Sequence, residues 1–431
     1  MLDIQFIRDN PELVKDKSRQ KGYQVDVDKL LDIDSKRRDL QSELQELQAK
    51  RNAHSDSLSA GKPTAEQIEV GRNIKLQVTE LEQKLKPLDE EFDTLLSTVP
   101  NMPLDDVPIG DSEEGNVVIK TVGDKPEFNF KPKNHAELAE AKGWLDKERA
   151  AKVAGSRFAY LTGDLVLLDW AMNMYALSKL TDESYIKQVA ADNSLKVSTK
   201  PFTPVQPPAV AKTKVFEATG RLNKEEQTYK LADDDLWLNA SAEHVLAPMF
   251  LDEIIPADEL PIRMVGYTTA FRREAGTYGK DMEGFFRLHQ FNKLEMEGFS
   301  KPEDAYNEHL LFIAIQEDLF NSLKLPYKVL NKCTADIGLP NARGVDIDVW
   351  LPGQNKYRES HTADYMTDYQ TRSMKTRYKD DEGIVTFAHT NDATVFSQRP
   401  LIAILENYQT SEGDVIIPEI LRPFMGGKEK I

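Results

Sequence analysis

The sequence predicts an α+β protein with a long antiparallel helical hairpin near its N-terminal end. Three observations carry that expectation. Two early segments repeat apolar residues in alternating steps of three and four. The remainder mixes alternating strand runs with single helices and lacks a regular βαβ rhythm, which favours a largely antiparallel sheet. Residues 271–295, FRREAGTYGKDMEGFFRLHQFNKLE, gather cations, carboxylates and rings in a chain of formal net charge -17.

Composition sets the frame. A chain of 431 residues exceeds what one hydrophobic core usually serves, so two or more domains are expected. The acidic balance argues against indiscriminate nucleic-acid binding, yet a local basic patch still acts within about 8–10 Å. The only cysteine is Cys333, which excludes an intrachain disulfide framework. The seven histidines show no zinc-ligand spacing, so no zinc is expected. The first twenty residues lack the apolar core of a signal peptide, and no run approaches the roughly 18 apolar residues of a membrane span. A cytoplasmic protein without a membrane partner is expected.

Residues 1–25 read as a short helix and connector, with Asn10-Pro11 as a helix-start signal. Leu30, Ile33, Leu40, Leu44 and Leu47 then mark one seam, with Arg37 filling a position within it. SLSAGKP (57–63) breaks the helix. The seam resumes as Ile74, Val78, Leu81, Leu85, Leu88, Phe92 and Leu95, in coiled-coil steps. Each helix has about 30 residues and spans roughly 45 Å at 1.5 Å per residue. The predicted organisation is an N-terminal domain over 1–98 with its coiled coil at about 27–97, a linker over 99–134, and a main domain over 135–431. Within the last, 135–152 reads as helix and 153–180 as a strand and turn entering a buried helix. Strand runs are expected at 236–243, 264–274, 285–299 and 346–352, and a helix at 302–323.

The stretch at 271–295 is the candidate site. With 285–299 as a strand, side chains alternate faces. Arg287, His289, Phe291, Lys293 and Glu295 share one face; Phe286, Leu288, Gln290, Leu294 and Met296 share the other, which is mostly apolar and destined for the core. Arg272 and Glu274 add to the first face across a glycine-containing loop. Arginine forks pair with phosphate, a ring stacks on a base, and a carboxylate accepts from an amine. The inventory suits a nucleotide, while no Walker or GxGxxG pattern is present here. The same charges also fit a solvated hairpin with surface pairs.

These residues resemble the second signature motif of class II aminoacyl-tRNA synthetases, and within that class the seryl-tRNA synthetases. VPNMPLDDVPIG, HAELAEAKGWLD, AKVAGSRFAYLTG, VQPPAV, AFRREAGTYGKD, RLHQFNKLEM, VWLPGQNKYRES and AILENYQTSEGDVIIPEILRPFMGG follow that family's order and spacing over essentially the whole chain. The resemblance implies a class II catalytic domain. It also implies an ATP-dependent, AMP-forming ligase that makes seryl-adenylate and passes the seryl group to serine tRNA; whether selenocysteine tRNA is a further acceptor stays open. Arg272 and Glu274 match the FRxE pair for the α-phosphate and the adenine amine, Arg287 a γ-phosphate arginine, and Phe291 the ring beneath adenine. Arg399 matches the arginine of the third motif, and Glu359 a ligand of ATP-bound Mg²⁺. Arg272, Glu359 and Arg399 are thereby the implied catalytic residues. Arg273, Ser360, His361 and Thr362 complete the implied ATP set, with Thr362 a further metal ligand.

For L-serine the implied residues are Ser241, Ala242, Glu243, Arg272, Glu295, Asn391 and Ala393. Which group meets the serine hydroxyl stays open. The usual Asn-Gly-Ser of the third motif reads Asn391-Asp392-Ala393, so the expected hydroxyl is missing at Ala393, with Thr394 and Thr390 as replacements. The hairpin is implied to reach the long variable arm of the tRNA through cations such as Lys36, Arg38, Lys50, Arg51, Lys62, Arg72, Lys75, Lys84 and Lys86. A homodimer is implied by the family alone. Two rival readings are a synthetase-like protein that aminoacylates a carrier protein and a non-catalytic coiled-coil adaptor.

Overall fold

The computed structural model describes residues 1–58, 64–220, 222, 228–274 and 284–431. The helix-breaking turn with Lys62, and the loop with Lys280, fall outside the described residues. The chain divides into two compact units, Met1–Met102 and Pro103–Ile431.

The first unit is helical. The 1–25 segment forms two helices, α1 (Ile4–Asp9) and α2 (Pro11–Gln20), where one was expected; Asn10-Pro11 is the joint. Asp26 caps α3 (Val27–Ser57), and a Thr64–Gln67 capping box starts α4 (Ala65–Ser97). Leu30, Ile33, Val78, Leu81 and Phe92 are buried along the seam, and its other members are half-buried. Arg37 explains its own place there. Its Nε lies 2.7 Å from Asp89, and its guanidinium sits 3.8 Å from the centre of the Phe92 ring. The cation thus bridges the two helices while its stem lies along apolar surface.

The second unit is built on one eight-stranded sheet. Its strands are β1 (Val117–Val122), β2 (Thr203–Val205), β3 (Ile262–Phe271), β4 (Gln290–Ser300), β5 (Tyr327–Asn331), β6 (Arg343–Leu351), β7 (Lys356–Thr367) and β8 (His389–Phe396), in the spatial order β1-β5-β6-β7-β8-β4-β3-β2. Every neighbouring pair is antiparallel except β2–β3. The helices of this unit are α5 (His135–Ala141), α6 (Lys147–Ala154), α7 (Asp164–Leu180), α8 (Glu183–Asp192), α9 (Thr213–Thr219), α10 (Glu243–Leu246), α11 (Ala305–Ser322), α12 (Tyr369–Met374) and α13 (Gln398–Asn407). Helices α7, α8, α11 and α13 share one large apolar core with Leu294, Met296, Ile347, Ala363 and Ala393 of the sheet. The opposite sheet face carries polar groups beside a smaller apolar cluster that includes Met264 and Phe299.

Four expectations shift. The linker over 99–134 contains β1, an exposed β-branched edge strand without the alternation that marks a half-buried one. The helix expected over 135–152 divides into α5 and α6, because Gly143 takes a positive φ of 69° and ends the first. Of 236–243 only Leu236–Leu238 is strand, and Glu243 opens α10. β4 starts at Gln290, five residues later than the run suggested. Across from it β3 has already ended at Phe271, and Glu274 turns left-handed at φ 47°. Phe286 is consequently free of strand alternation.

Candidate active site

The site lies on the sheet face opposite α7 and α11. A half-open cleft is lined by Arg272, Glu274, Phe286, Arg287, Leu288, Phe291, Lys293, Glu359, Ser360, Thr362, Thr394, Ser397, Gln398 and Arg399.

At one end stand the arginines and a ring. Arg272 continues from β3; its Nε donates to the Ala240 carbonyl at 3.0 Å and its guanidinium lies 5.3 Å from the Phe291 ring centre. The left-handed turn at Glu274 directs its carboxylate to Arg287, 2.8 Å away, while its carbonyl accepts from Arg157. Arg399, capped by Ser397 in the first turn of α13, donates to the Glu359 carbonyl at 2.6 Å and pairs with the Glu359 carboxylate at 3.1 Å. That cation holds the Glu359 carboxyl down at about 2, chiefly through charge. Deeper on this face, Asp346 is pushed up to about 8 by burial against the pull of Lys332, and Asp348 to about 6 by burial and Glu359.

A β-bulge sorts these groups. β6 and β7 pair as Ile347 with His361 and Asp348 with Glu359, so Ser360 is the extra residue. The bulge puts Glu359 and Thr362 on one face and turns His361 to the other. His361 Nε2 lies 2.6 Å from the Val395 carbonyl and its ring meets Phe320 edge-on. Burial holds its imidazole down at about 3. His361, implied for ATP, is therefore a core residue. Arg273 also sits apart: its Nε donates to the Thr228 carbonyl and its guanidinium faces Tyr229.

The other end is buried. Ser241 Oγ donates to Glu295 Oε2 at 2.5 Å, and the Glu243 backbone N–H donates to the same oxygen at 3.1 Å. Lys293 Nζ sits 2.5 Å from Glu295 Oε1 and 2.9 Å from Ser241 Oγ. Carboxylate oxygens of Glu243, Glu295 and Asp392 lie within 4.8 Å of one another. Gly266, opposite Glu295 on β3, makes room: a Cβ there would lie 2.7 Å from Leu246 of α10. Ala242 is packed in apolar surroundings and contributes backbone only.

The third-motif residues differ from expectation. β8 pairs Thr394 with Glu295 and Ala393 with Met296. Asp392 and Thr394 accordingly face the cleft, whereas Ala393 joins the apolar core and Asn391 donates to the Ala305 carbonyl of α11. Thr390 is bonded to Gln370. Of the two replacement hydroxyls, the structure brings only Thr394 to the cleft. Lys293, Phe286 and Asp392 were missed as site residues. Lys293 was legible as the residue two before Glu295 on the same face.

The Mg²⁺ expectation has a physical basis. The Glu359 carboxylate is 55% exposed to the cleft. Nearby on the same face, the Thr362 hydroxyl is buried and turned toward Asp346. A half-open carboxylate beside a hydroxyl and further carboxyl groups suits a hard divalent cation.

Comparison with known proteins agrees. Residues 1–103 match the seryl-tRNA synthetase N-terminal domain, and residues 222–408 the tRNA synthetase class II core domain (G, H, P, S and T). The chain is 38% identical to the serine–tRNA ligase of Thermodesulfovibrio yellowstonii and 39% identical to that of Borreliella burgdorferi. The first alignment covers 99% of both chains, the second 99% of this chain and 98% of its relative. It superposes on the seryl-tRNA synthetase of Pyrococcus horikoshii complexed with ATP with a TM-score of 0.86 at 35% identity, covering 100% of this chain and 99% of that one. The chain belongs to the seryl-tRNA synthetase family of class II aminoacyl-tRNA synthetases, the serine–tRNA ligases.

Proposed function

We propose that the two ends of this cleft divide the work of an ATP-dependent serine–tRNA ligase. The observation that carries the division is the placement of half-open arginines and Phe291 at one end and the buried Ser241–Lys293–Glu295 cluster at the other. The adenine lies on Phe291, with Glu274 at its amine. Arg272, Arg287 and Arg399 hold the phosphates. Glu359 and Thr362 would hold Mg²⁺, which neutralises phosphate charge when bound. The serine ammonium and hydroxyl enter among Glu243, Glu295 and Thr394, with Asp392 adding a carboxylate.

In the first step the serine carboxylate attacks the α-phosphorus in line and pyrophosphate leaves. In the second, a hydroxyl of the terminal tRNA adenosine attacks the acyl carbon and AMP leaves. Both steps depend on positioning and charge neutralisation, which the fixed arginines supply. A buried site that hydrogen-bonds the substrate hydroxyl rejects analogues without it by about 10⁴-fold or more. The α3–α4 hairpin, with its spread of cations, is the surface for the long arm of serine tRNA. The proposal includes a homodimer in the cytoplasm, which sedimentation and cell fractionation test. Among the described residues no helix is long and apolar enough to cross a membrane.

Serine-dependent ATP–pyrophosphate exchange and charging of serine tRNA by the full chain test the reading. Absence of exchange across Mg²⁺ concentrations overturns it. Exchange without tRNA charging would favour transfer to a carrier protein.

A further inference from the structure

Phe286 is buried in the main apolar core, as its face of the run predicts, and its ring also forms part of the cleft wall. Two guanidinium groups lie on its ring: Arg358 at 4.1 Å from the ring centre and Arg399 at 4.9 Å. They come from different elements, β7 and the first turn of α13. Both trace back to one buried carboxylate. Glu406 lies seven residues after Arg399, two turns along the same helix. It accepts the backbone N–H groups of His135 at 3.0 Å and Gly353 at 2.9 Å, and its Oε1 is 3.0 Å from His135 Nδ1. Gln354 Nε2 also reaches Glu406, at 3.4 Å, and Gln354 Oε1 accepts from Arg358 at 3.3 Å. His135 in turn backs the aromatic pair, at 5.2 Å from Phe285 and 6.4 Å from Phe286 between ring centres. The ring thus packs near His135 and carries two cations.

We propose that Phe286 is a positioning residue for ATP: its π-face carries Arg399 beside Arg358, so that Arg399 moves from Glu359 to the nucleotide phosphates. The inference rests on the assignment of Arg399 to ATP made above. Before ATP arrives, Arg399 is engaged with both the carbonyl and the carboxylate of Glu359. Nucleotide binding requires that arginine at phosphate and that carboxylate at the metal. A purely ionic pair would hold both groups in place. Stacking uses the face of a guanidinium and leaves its in-plane N–H groups for hydrogen bonding. The ring therefore attracts Arg399 without consuming the donors that phosphate needs.

Fluorinated phenylalanines at position 286 test this without changing the shape of the core, because each fluorine weakens the negative face of the ring. In full-length enzyme carrying mono-, di- and trifluoro-phenylalanine, KM for ATP in pyrophosphate exchange should rise stepwise, to about threefold to tenfold. KM for serine should stay within about twofold. Phe286→Leu should match the trifluoro variant and Phe286→Tyr the parent. A flat fluorine series, or equal rises for ATP and serine, overturns the proposal. Arg399→Ala separates the two readings. A tenfold or greater rise in KM for ATP alongside a flat series sinks the aromatic shelf alone. An unchanged KM in Arg399→Ala sinks the ATP assignment beneath it.

Discussion

The two ends of the cleft are built in opposite ways. At the phosphate end the charged side chains stand in reach of water: Glu359 is 55% exposed, Arg287 28% and Arg399 20%. At the amino-acid end Lys293 is 8% exposed and Glu295 fully buried. The open end is held together by half-exposed ion pairs, which on the proposed reading give way to a polyanion. The closed end is already satisfied by internal hydrogen bonds before substrate arrives. The difference suits the two ligands proposed for these ends. A triphosphate brings its own strong charge and tolerates adjustable arginines. A small amino acid must be recognised by fixed donors and acceptors, and a fixed geometry needs burial.

The junction of the two ends should be the most sensitive point. Arg272 touches Ala240, beside the serine segment, and also lies near Phe291. Arg272→Ala should lower serine-dependent exchange by about a thousandfold, the scale of losing one preorganised charge at a reacting group. A loss confined to one substrate's KM would show that it serves one end only.

Next in size is Arg399→Ala, with an expected rise of about tenfold to a hundredfold in KM for ATP and little change for serine. The same variant removes the charge that holds Glu359 near 2. Its carboxyl then titrates higher, so ATP-dependent activity should fail at a higher pH on the acid side than in the parent. Coincident acid limbs would show that Glu359 is held by something else.

A smaller contrast tests which residues of β8 face serine. Thr394→Val should raise KM for serine about tenfold, whereas Ala393→Ser should change it less than twofold. The reverse ranking would restore the expectation drawn from the motif alone.

That expectation failed for a definite reason. The structure brings Arg272, Glu274, Arg287, Phe291, Glu359 and Arg399 to one cleft, with Glu295 buried against Lys293, and each sits in a motif whose neighbours hold its register. β8 offers no such anchor. Its residues are nearly all buried on both faces, so alternation does not announce which side is polar, and a one-residue slip exchanges the faces. His361 was misread for a related reason: the bulge at Ser360 is invisible in a pattern of period two. Phe286 is in the core as expected, but its second role at the cleft wall is not legible, because β4 starts only at Gln290 and the residues before it do not alternate as a strand. The hairpin, by contrast, was legible almost throughout, since the heptad steps and the Arg37 interruption are both local signals.

The smallest predicted effect concerns stability beside the cleft. Asp169 of α7 is buried and its carboxyl is pushed up to about 6 by desolvation. A raised carboxyl means the folded state binds its proton more tightly than the unfolded chain. Stability is therefore lost as pH rises from the unfolded value near 4 through the folded value near 6. Asp169→Asn should stabilise the protein by about 1–3 kcal/mol at pH 8 and by almost nothing near pH 4, read as the difference in unfolding midpoint. A pH-independent difference would point to packing in place of charge.

The division of the cleft is tested most directly by Glu295→Gln, with ATP binding followed calorimetrically beside serine-dependent pyrophosphate exchange. The structure places Glu295 wholly within the buried cluster, against Ser241 and Lys293. ATP affinity should remain within about twofold while exchange falls by about two orders of magnitude or more, the scale of losing one preorganised charge contact to the substrate. Loss of ATP binding, or exchange that survives, would contradict the division.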